Sequence, residues 1–322
     1  MNETASAPTS NKGPRPQDLD DAALCRQLVR LARAEQPPWL HAEVAQRMAE
    51  RLPFIKLRPA RVLDASPALG ASLPVLRQAY PGAELLWHED HPALVARAGQ
   101  ERMPSWWRRL GGATGGRVEA LPPQPAVELL WSNMALHARA DLPAVLAQWQ
   151  ASLAVGGFVM FSCLGPDSFV ELRRLYERLG WGRPAPDWWD MHDIGDLVLK
   201  AGFADPVMDQ QRLTLTWATP ERLLADLRAL GGNVAPTRFA GLRGRRWRAR
   251  LLDELQGLRN SQGRLALTLE LVFGHAFKAA PRLTVAAQTH VSVEAMRASL
   301  RQGRRGSENA DFRSGAARGA VG

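Results

Sequence analysis

One segment, residues 153–172, restricts the fold of this chain more than any other. Two glycines, Gly156 and Gly157, precede an apolar run from Phe158 to Phe161, which predicts a buried strand. A Gly-Pro-Asp break at residues 165–167 follows, and then a run with helical periodicity. The order strand, break, helix is the repeating unit of an open α/β sheet, which binds its ligands at the carboxyl ends of the strands.

The same alternation extends over most of the chain. Strands are expected at residues 61–64, 84–87, 127–131 and 157–162, and helices at 70–79, 92–99, 141–152 and 166–179. Strands that alternate with helices of about ten residues predict a mostly parallel sheet with helices on both faces. Two later alternating runs, at residues 212–217 and 264–278, predict a terminal antiparallel hairpin. The helical residues between these runs predict an inserted cap over the strand ends.

The chain is expected to form one domain over residues 18–280, with helices at 18–52 and the helical insertion at 219–260. Polar, Pro-rich residues 1–17 and the basic, Gly-rich residues 300–322 are expected to be disordered. There is no run of eighteen apolar residues and no secretion signal, so we expect a cytoplasmic protein without a membrane span. Two cysteines cannot build a disulfide framework, and we identify no metal site.

The net charge of +9 has its main source in residues 241–250 and in the C-terminal tail. It is compatible with an arginine-rich proteome or with an acidic partner, such as a nucleic acid, a membrane surface or an acidic carrier protein. Nucleic acid is not favoured, because the basic cluster contains no Phe or Tyr stacking residue beyond Trp247, and no membrane partner is expected.

The loop after the first strand, residues 64–70, should hold a ligand if the sheet does. Of a Gly-x-Gly-x-Gly arrangement only Gly70 remains. Ser66 and Ala68 add β-carbons, and Pro67 removes an N–H donor. By its spacing alone, this loop is weak evidence of a cofactor.

Three polar side chains follow later strands. Glu89 ends the second strand, where a carboxylate can accept both hydrogen bonds of a ribose diol or can serve the start of a helix. Asn133 and His137 follow the third strand and are candidates to line a site there. His192 is a third catalytic candidate, and a role at a surface or helix cap stays open for both histidines.

Several segments between residues about 40 and 280 resemble the class I S-adenosylmethionine-dependent methyltransferases, more narrowly the malonyl-acyl carrier protein O-methyltransferases of biotin synthesis. These segments include Arg61–Asp64, Leu129–Leu136, Phe161–Ser168, Asp190–Asp196 and Arg212–Thr216. The later ones are the more specific, above all Phe161–Ser168 and Asp190–Asp196. The resemblance implies a Rossmann-like sheet of seven strands, mostly parallel, and methyl transfer to the free carboxylate of malonyl carried on acyl carrier protein.

The resemblance also implies roles for particular residues. S-adenosylmethionine would be held by the following set: Asp64, Ser66, Ala68, Gly70, Glu89 and Asn133. Acyl carrier proteins are strongly acidic, so a docking role is implied for five arginines: Arg243, Arg245, Arg246, Arg248 and Arg250. A solvated helix face is the alternative for these arginines.

Two departures from the family pattern leave a second hypothesis open. The family's first loop carries three glycines, two of which are replaced here, and an acidic residue that often contacts the adenine amine corresponds to Arg117. The sequence therefore supports an O-methyltransferase and, as the alternative, an inactive methyltransferase-fold scaffold that binds a protein partner.

Overall fold

A single mixed sheet lies at the centre of the residues that the structure describes. The structure is a computed structural model, and it describes residues 18–101, 116, 121, 127–280 and 294. The chain divides into a compact unit, Met1–Ala280, and a second unit, Pro281–Gly322. The expected disorder at residues 1–17 and 300–322 lies outside the described residues.

The sheet has six strands in the order β2-β1-β3-β4-β6-β5. Their bounds are β1 Arg61–Asp64, β2 Glu84–Trp87, β3 Val127–Ser132, β4 Leu153–Leu164, β5 Ala204–Trp217 and β6 Leu265–Phe277. Strands β2, β1, β3 and β4 run parallel, and β6 pairs antiparallel with both β4 and β5. The expected α/β class and antiparallel terminal strand are confirmed. The described residues hold six strands where the resemblance implied seven, and most residues between 102 and 126 lie outside the description.

Ten α-helices accompany these strands in the described part of the chain. They are α1 Asp21–Ala32, α2 Trp39–Ala49, α3 Pro67–Gly70, α4 Leu73–Ala79, α5 Pro92–Glu101, α6 Leu142–Ser152, α7 Val170–Arg178, α8 Met191–Lys200, α9 Pro220–Leu230 and α10 Arg245–Gln256. None of the described helices is long and apolar enough to cross a membrane.

Two helices begin later than expected, each after a residue with a left-handed backbone. The helix expected at residues 70–79 begins only at Leu73, as α4, because Ala71 has a left-handed backbone with φ 51° that separates it from the short helix α3. The helix expected from residue 166 begins only at Val170, because Phe169 is also left-handed and its N–H donates to the Thr268 carbonyl of β6. Left-handed residues interrupt a helix, so α4 and α7 are each preceded by a turn that follows the carboxyl end of a parallel strand.

Alternating side chains on the strands build a core on each face of the sheet. On one face, Leu129 and Trp131 of β3 belong to the cluster that includes residues of α2, α4, α7, α9 and α10. On the other face, Leu130 belongs to the cluster with α6 and α8. The period of two along β3 thus gives one set of side chains to each helical layer. The helices α9 and α10 lie between β5 and β6 in the chain, as the expected cap does.

Candidate cofactor and substrate site

Two cavities lie beyond the carboxyl ends of the parallel strands. The smaller, of about 240 Å³, is lined by the loop after β1, by Glu89 and by Asn133. The larger, of about 740 Å³, is lined by residues of α1, α2, α7, α9 and α10. Leu24, Met134 and Ala138 line both cavities, so the two are adjacent. We call them the small cavity and the large cavity.

The loop at residues 64–70 satisfies most of its backbone donors within the protein. The N–H of Ser66 donates to Oδ1 of Asp64 at 3.2 Å, and the N–H of Ala68 donates to Oε1 of Glu89 at 2.8 Å. The N–H of Gly70 donates to the Ser66 carbonyl at 2.8 Å, which closes the short helix α3. Asp64 is buried at the base of this loop. The loop is therefore a closed turn whose shape depends on two carboxylates.

The side-chain carbons that replace glycines do not fill the small cavity. Ala68 is fully buried in an apolar cluster with Trp87, Leu94 and Ala98. The hydroxyl of Ser66 turns towards Asn133, donating to its carbonyl at 3.2 Å and accepting from its N–H at 3.0 Å. The cavity between the loop, Glu89 and Asn133 thus stays open although the glycines are lost.

Glu89 is the acidic group on the wall of the small cavity. Its burial, together with the nearby charge of Asp64, raises its pKa to about 7, against the opposing effect of the Ala68 N–H. Near neutral pH this carboxyl is therefore divided between its charged and neutral forms.

Asn133 connects three parts of the site. Its Nδ2 donates to the carbonyls of His41 at 2.7 Å and of Gly70 at 2.6 Å, and its Oδ1 accepts from the Ser162 hydroxyl at 2.7 Å. Both amide hydrogens are thereby used, and the side chain is buried. The catalytic and cofactor-binding roles of Asn133 stay predictions, and in the structure its side chain links α2, the loop after β1, and β4.

Met134, at the boundary of the two cavities, has a strained backbone. Its φ is 53°, a left-handed conformation that is uncommon for a residue with a long side chain. The Met134 N–H donates to the hydroxyl of Ser162 at 3.0 Å and to its carbonyl at 3.1 Å, which holds this conformation. Such strain concentrates at functional sites because surrounding contacts must maintain it.

Two histidines line the large cavity. Burial lowers the pKa of His41 to about 4 and that of His137 to about 3, so both rings are neutral at pH 7. The Nδ1 of His41 donates to the Leu69 carbonyl at 2.7 Å. The ring of His137 meets Trp188 edge-on at 6.2 Å between centroids. The predicted candidate His137 is therefore at the site.

The structure does not bring His192 to the site. Its side chain is exposed near the start of α8, where its N–H donates to the capping carboxylate of Asp190 at 2.7 Å. His192 lines neither of the two cavities. The helix-cap alternative accounts for this segment.

The five predicted docking arginines fall into two groups. Arg245, Arg246, Arg248 and Arg250 are exposed on α10, and Arg248 also lines the large cavity. Arg243 is half-buried: its guanidinium lies over the rings of Phe239 at 4.0 Å and Trp247 at 4.6 Å and donates to the Trp181 carbonyl at 2.8 Å. The structure thus gives Arg243 an internal packing role. The α10 arginines stay exposed to a partner, although Arg250 also forms an ion pair with Glu254 at 3.7 Å.

Sequence reasoning missed two residues of the site. Arg97 of α5 is buried, and its guanidinium donates to the Ala68 carbonyl at 2.9 Å and to the Leu31 carbonyl at 3.1 Å, which ties α1 to the loop. No sequence signal marks it. His41 could have been found, because it shares the buried face of α2 with Val44 and Met48 at helical spacing.

Comparison with known proteins gives a consistent result. The family model described as a methyltransferase domain matches residues 39–205. A malonyl-[acyl-carrier protein] O-methyltransferase of Gallionella capsiferriformans is 40% identical over 251 residues, which cover 76% of this chain and 86% of that protein. The protein of the same name from Laribacter hongkongensis is 37% identical, covering 76% of this chain and 84% of that protein.

Among solved structures, a Bacillus halodurans protein provisionally described as a methyltransferase superposes with a TM-score of 0.50 at 10% identity. The match covers 73% of this chain and all of that one. At this identity the likeness supports the fold alone.

Proposed function

The chain belongs to the family of malonyl-[acyl-carrier protein] O-methyltransferases, and from this premise we propose that it transfers a methyl group from S-adenosylmethionine to the free carboxylate of malonyl-acyl carrier protein or a related carrier-bound acid. The observation that carries the proposal is the pair of adjacent cavities at the carboxyl ends of the strands, one with an acidic wall and one large enough for a substrate.

The residues of the small cavity fit the nucleoside part of this cofactor. Glu89 provides an acidic acceptor for a ribose diol, and the side chains of Ser66 and Ala68 leave the cavity open. Ligands of this size occupy cavities of about 300–1,000 Å³. The small cavity, at about 240 Å³, is too small alone, so the remainder of the cofactor would extend into the large cavity past Met134.

The bound cofactor would supply an electrophilic methyl group on a sulfonium. The protein needs no general base, because a malonyl carboxylate is already ionised at pH 7. Its task is to hold the carboxylate in line with the methyl group and to exclude water. Trp188, Phe169 and Leu172 provide an apolar wall of the large cavity for this purpose.

The partner implied by the relatives' names is an acidic acyl carrier protein. The exposed arginines of α10 support this part of the proposal, because one of them, Arg248, also lines the large cavity. A carrier bound to α10 would therefore present its prosthetic arm to that cavity. Nucleic acid is not supported, because Trp247 lies against Arg243 and Trp181 instead of offering a free stacking face. The cytoplasmic localisation stays a prediction.

The scaffold hypothesis has one observation in its favour, namely that the N–H groups of Ser66, Ala68 and Gly70 all have acceptors within the protein. Two measurements decide between the hypotheses. Calorimetric titration with S-adenosylhomocysteine should give saturable binding, and labelled methyl should pass from S-adenosylmethionine to malonyl-acyl carrier protein. An absence of both heat and transfer would leave the scaffold as the function.

A further inference from the structure

A polar cluster lies on the wall of the large cavity that α1 and α9 form. It is formed by Gln27 and Arg30 of α1, Arg228 of α9 and the glycines that follow α9, Gly231 and Gly232, all of which line the cavity. Neither the proposed methyl transfer nor the α10 arginines use these side chains.

Gly231 allows the side chain of Gln27 in α1 to approach the end of α9 closely. A β-carbon on Gly231 would lie 2.6 Å from Nε2 of Gln27, a distance that real contacts do not reach. The Arg30 guanidinium donates to the Gly231 carbonyl, which fixes its position on the cavity wall. Oε1 of Gln27 is buried and has no hydrogen-bond partner among the described residues. The cluster is thus tightly built but incompletely satisfied.

The charge of this cluster is not neutralised by a neighbouring acid. Neither Arg30 nor Arg228 forms an ion pair with another residue that the structure describes. Burial and the nearby charge of Arg228 lower the pKa of Arg30, so the two cations repel each other. The acidic side chain that also lines the cavity, Glu221, is exposed. Two cations that line the same cavity without an acidic partner are stabilised by a bound anion.

We infer that Arg30 and Arg228 form an anion site that binds an anionic oxygen group of the substrate. Two groups on a carrier-bound malonyl thioester have this chemistry, the terminal carboxylate and the phosphodiester that joins the prosthetic arm to the carrier. The inference rests on the proposed function and adds the residues that recognise the substrate's charge.

The test compares two small thioesters, malonyl-pantetheine, which lacks a phosphate, and malonyl-phosphopantetheine. Arg228→Gln is the main variant, because this side chain is exposed and its loss should not disturb folding. Arg30→Lys keeps the charge but loses the fork of donors. Arg222→Gln is the matched control, since it removes an equal charge from the same helix at a position that does not line the cavity. Calorimetric binding of each thioester and the KM and kcat of methyl transfer are measured for every variant, with thermal unfolding as a check.

We expect Arg228→Gln to weaken binding and raise KM by about tenfold or more, with kcat unchanged, because a hydrogen bond to a charged group is lost. An effect on both thioesters identifies the carboxylate as the bound group, and an effect on malonyl-phosphopantetheine alone identifies the phosphate. Wild-type affinity of Arg228→Gln and Arg30→Lys for both thioesters would overturn the inference. A wild-type protein that transfers no methyl group would overturn the proposed function instead, and the binding data would still decide the anion site.

Discussion

The small and the large cavity differ in whether the polar groups on their walls already have partners within the protein. Around the small cavity, the polar groups of the loop, Glu89 and Asn133 are hydrogen-bonded to one another. Around the large cavity, Arg30 and Arg228 have no acidic partner among the described residues, and Nδ1 of His137 is buried without a hydrogen bond there. The difference indicates that the small cavity holds its shape before a cofactor binds, whereas the large cavity has polar groups that a bound substrate can pair with.

The largest effect is expected from Asn133→Ala, which tests the hydrogen-bond network around the small cavity. This change removes the buried hydrogen bonds of the Asn133 side chain to the carbonyls of His41 and Gly70 and from the Ser162 hydroxyl, while the Gly70 carbonyl keeps its bond from the Ser72 hydroxyl. We expect the free energy of unfolding to fall by about 3 kcal/mol, because each buried polar group that loses its only partner costs about 1–3 kcal/mol. Urea unfolding measures the change. A loss below about 1 kcal/mol would show that the network is not a structural link.

The role of Glu89 is tested by Glu89→Ala. We expect affinity for S-adenosylhomocysteine to fall about 100-fold, because two hydrogen bonds to a charged acceptor would be lost. Isothermal calorimetry measures it. Glu84→Gln is the control and should bind normally, because Glu84 is an exposed acid at the start of β2, the strand that precedes Glu89. Equal affinities of Glu89→Ala and the wild type would separate the small cavity from cofactor binding.

The pH dependence of the free energy of unfolding should distinguish the small cavity from the large cavity. The folded pKa of Glu89 is about 7 against an ordinary value of 4.5, so the folded state retains a proton that the unfolded state has released between these values. The free energy of unfolding should therefore fall by about 3 kcal/mol as pH rises from 4.5 to 7 through this residue alone. Glu89→Gln should remove that loss.

The histidines of the large cavity act in the opposite direction. The folded pKa values of His41 and His137 lie below their ordinary value of 6.5, so the unfolded state binds more protons as pH falls below 6.5. Stability should therefore fall on acidification, and His137→Gln should reduce this fall without changing the effect of Glu89. A His137→Gln profile identical to that of the wild type would refute the buried, neutral state of this ring.

The smallest effect is expected from Ala68→Gly, which restores one of the glycines that the family pattern has in this loop. Ala68→Gly removes a methyl group from the cluster of Trp87, Leu94 and Ala98, so the free energy of unfolding should fall by about 1 kcal/mol. Cofactor affinity should stay within about twofold of wild type, because this methyl group does not line the small cavity. A large gain in affinity would show that the methyl group does obstruct the cofactor. Ser66→Gly is the contrast, since it also removes the hydrogen bonds to Asn133.

Much of the fold was predictable, because strands β1, β2 and β3 are short apolar runs bounded by turn residues, a local pattern. The start of α7 was not, because the left-handed turn at Phe169 is held by hydrogen bonds to β6, about 100 residues away. Position at a strand end was enough to predict that Glu89, Asn133 and His137 lie beside the cavities, whereas their roles stay predictions. His192 was misplaced because a helix cap and a catalytic histidine look alike in sequence.

The sequence alone determined the layered α/β architecture and the family, since both depend on periodicity and on motifs that are contiguous in the chain. Only the tertiary structure decided what the altered loop means, because the direction of the Ala68 methyl group depends on Trp87, Leu94 and Ala98 from other segments. It alone also placed Arg30 beside Arg228, which lie almost 200 residues apart in sequence. Electrostatic interaction depends on distance in space, and distance along the chain gives no measure of it.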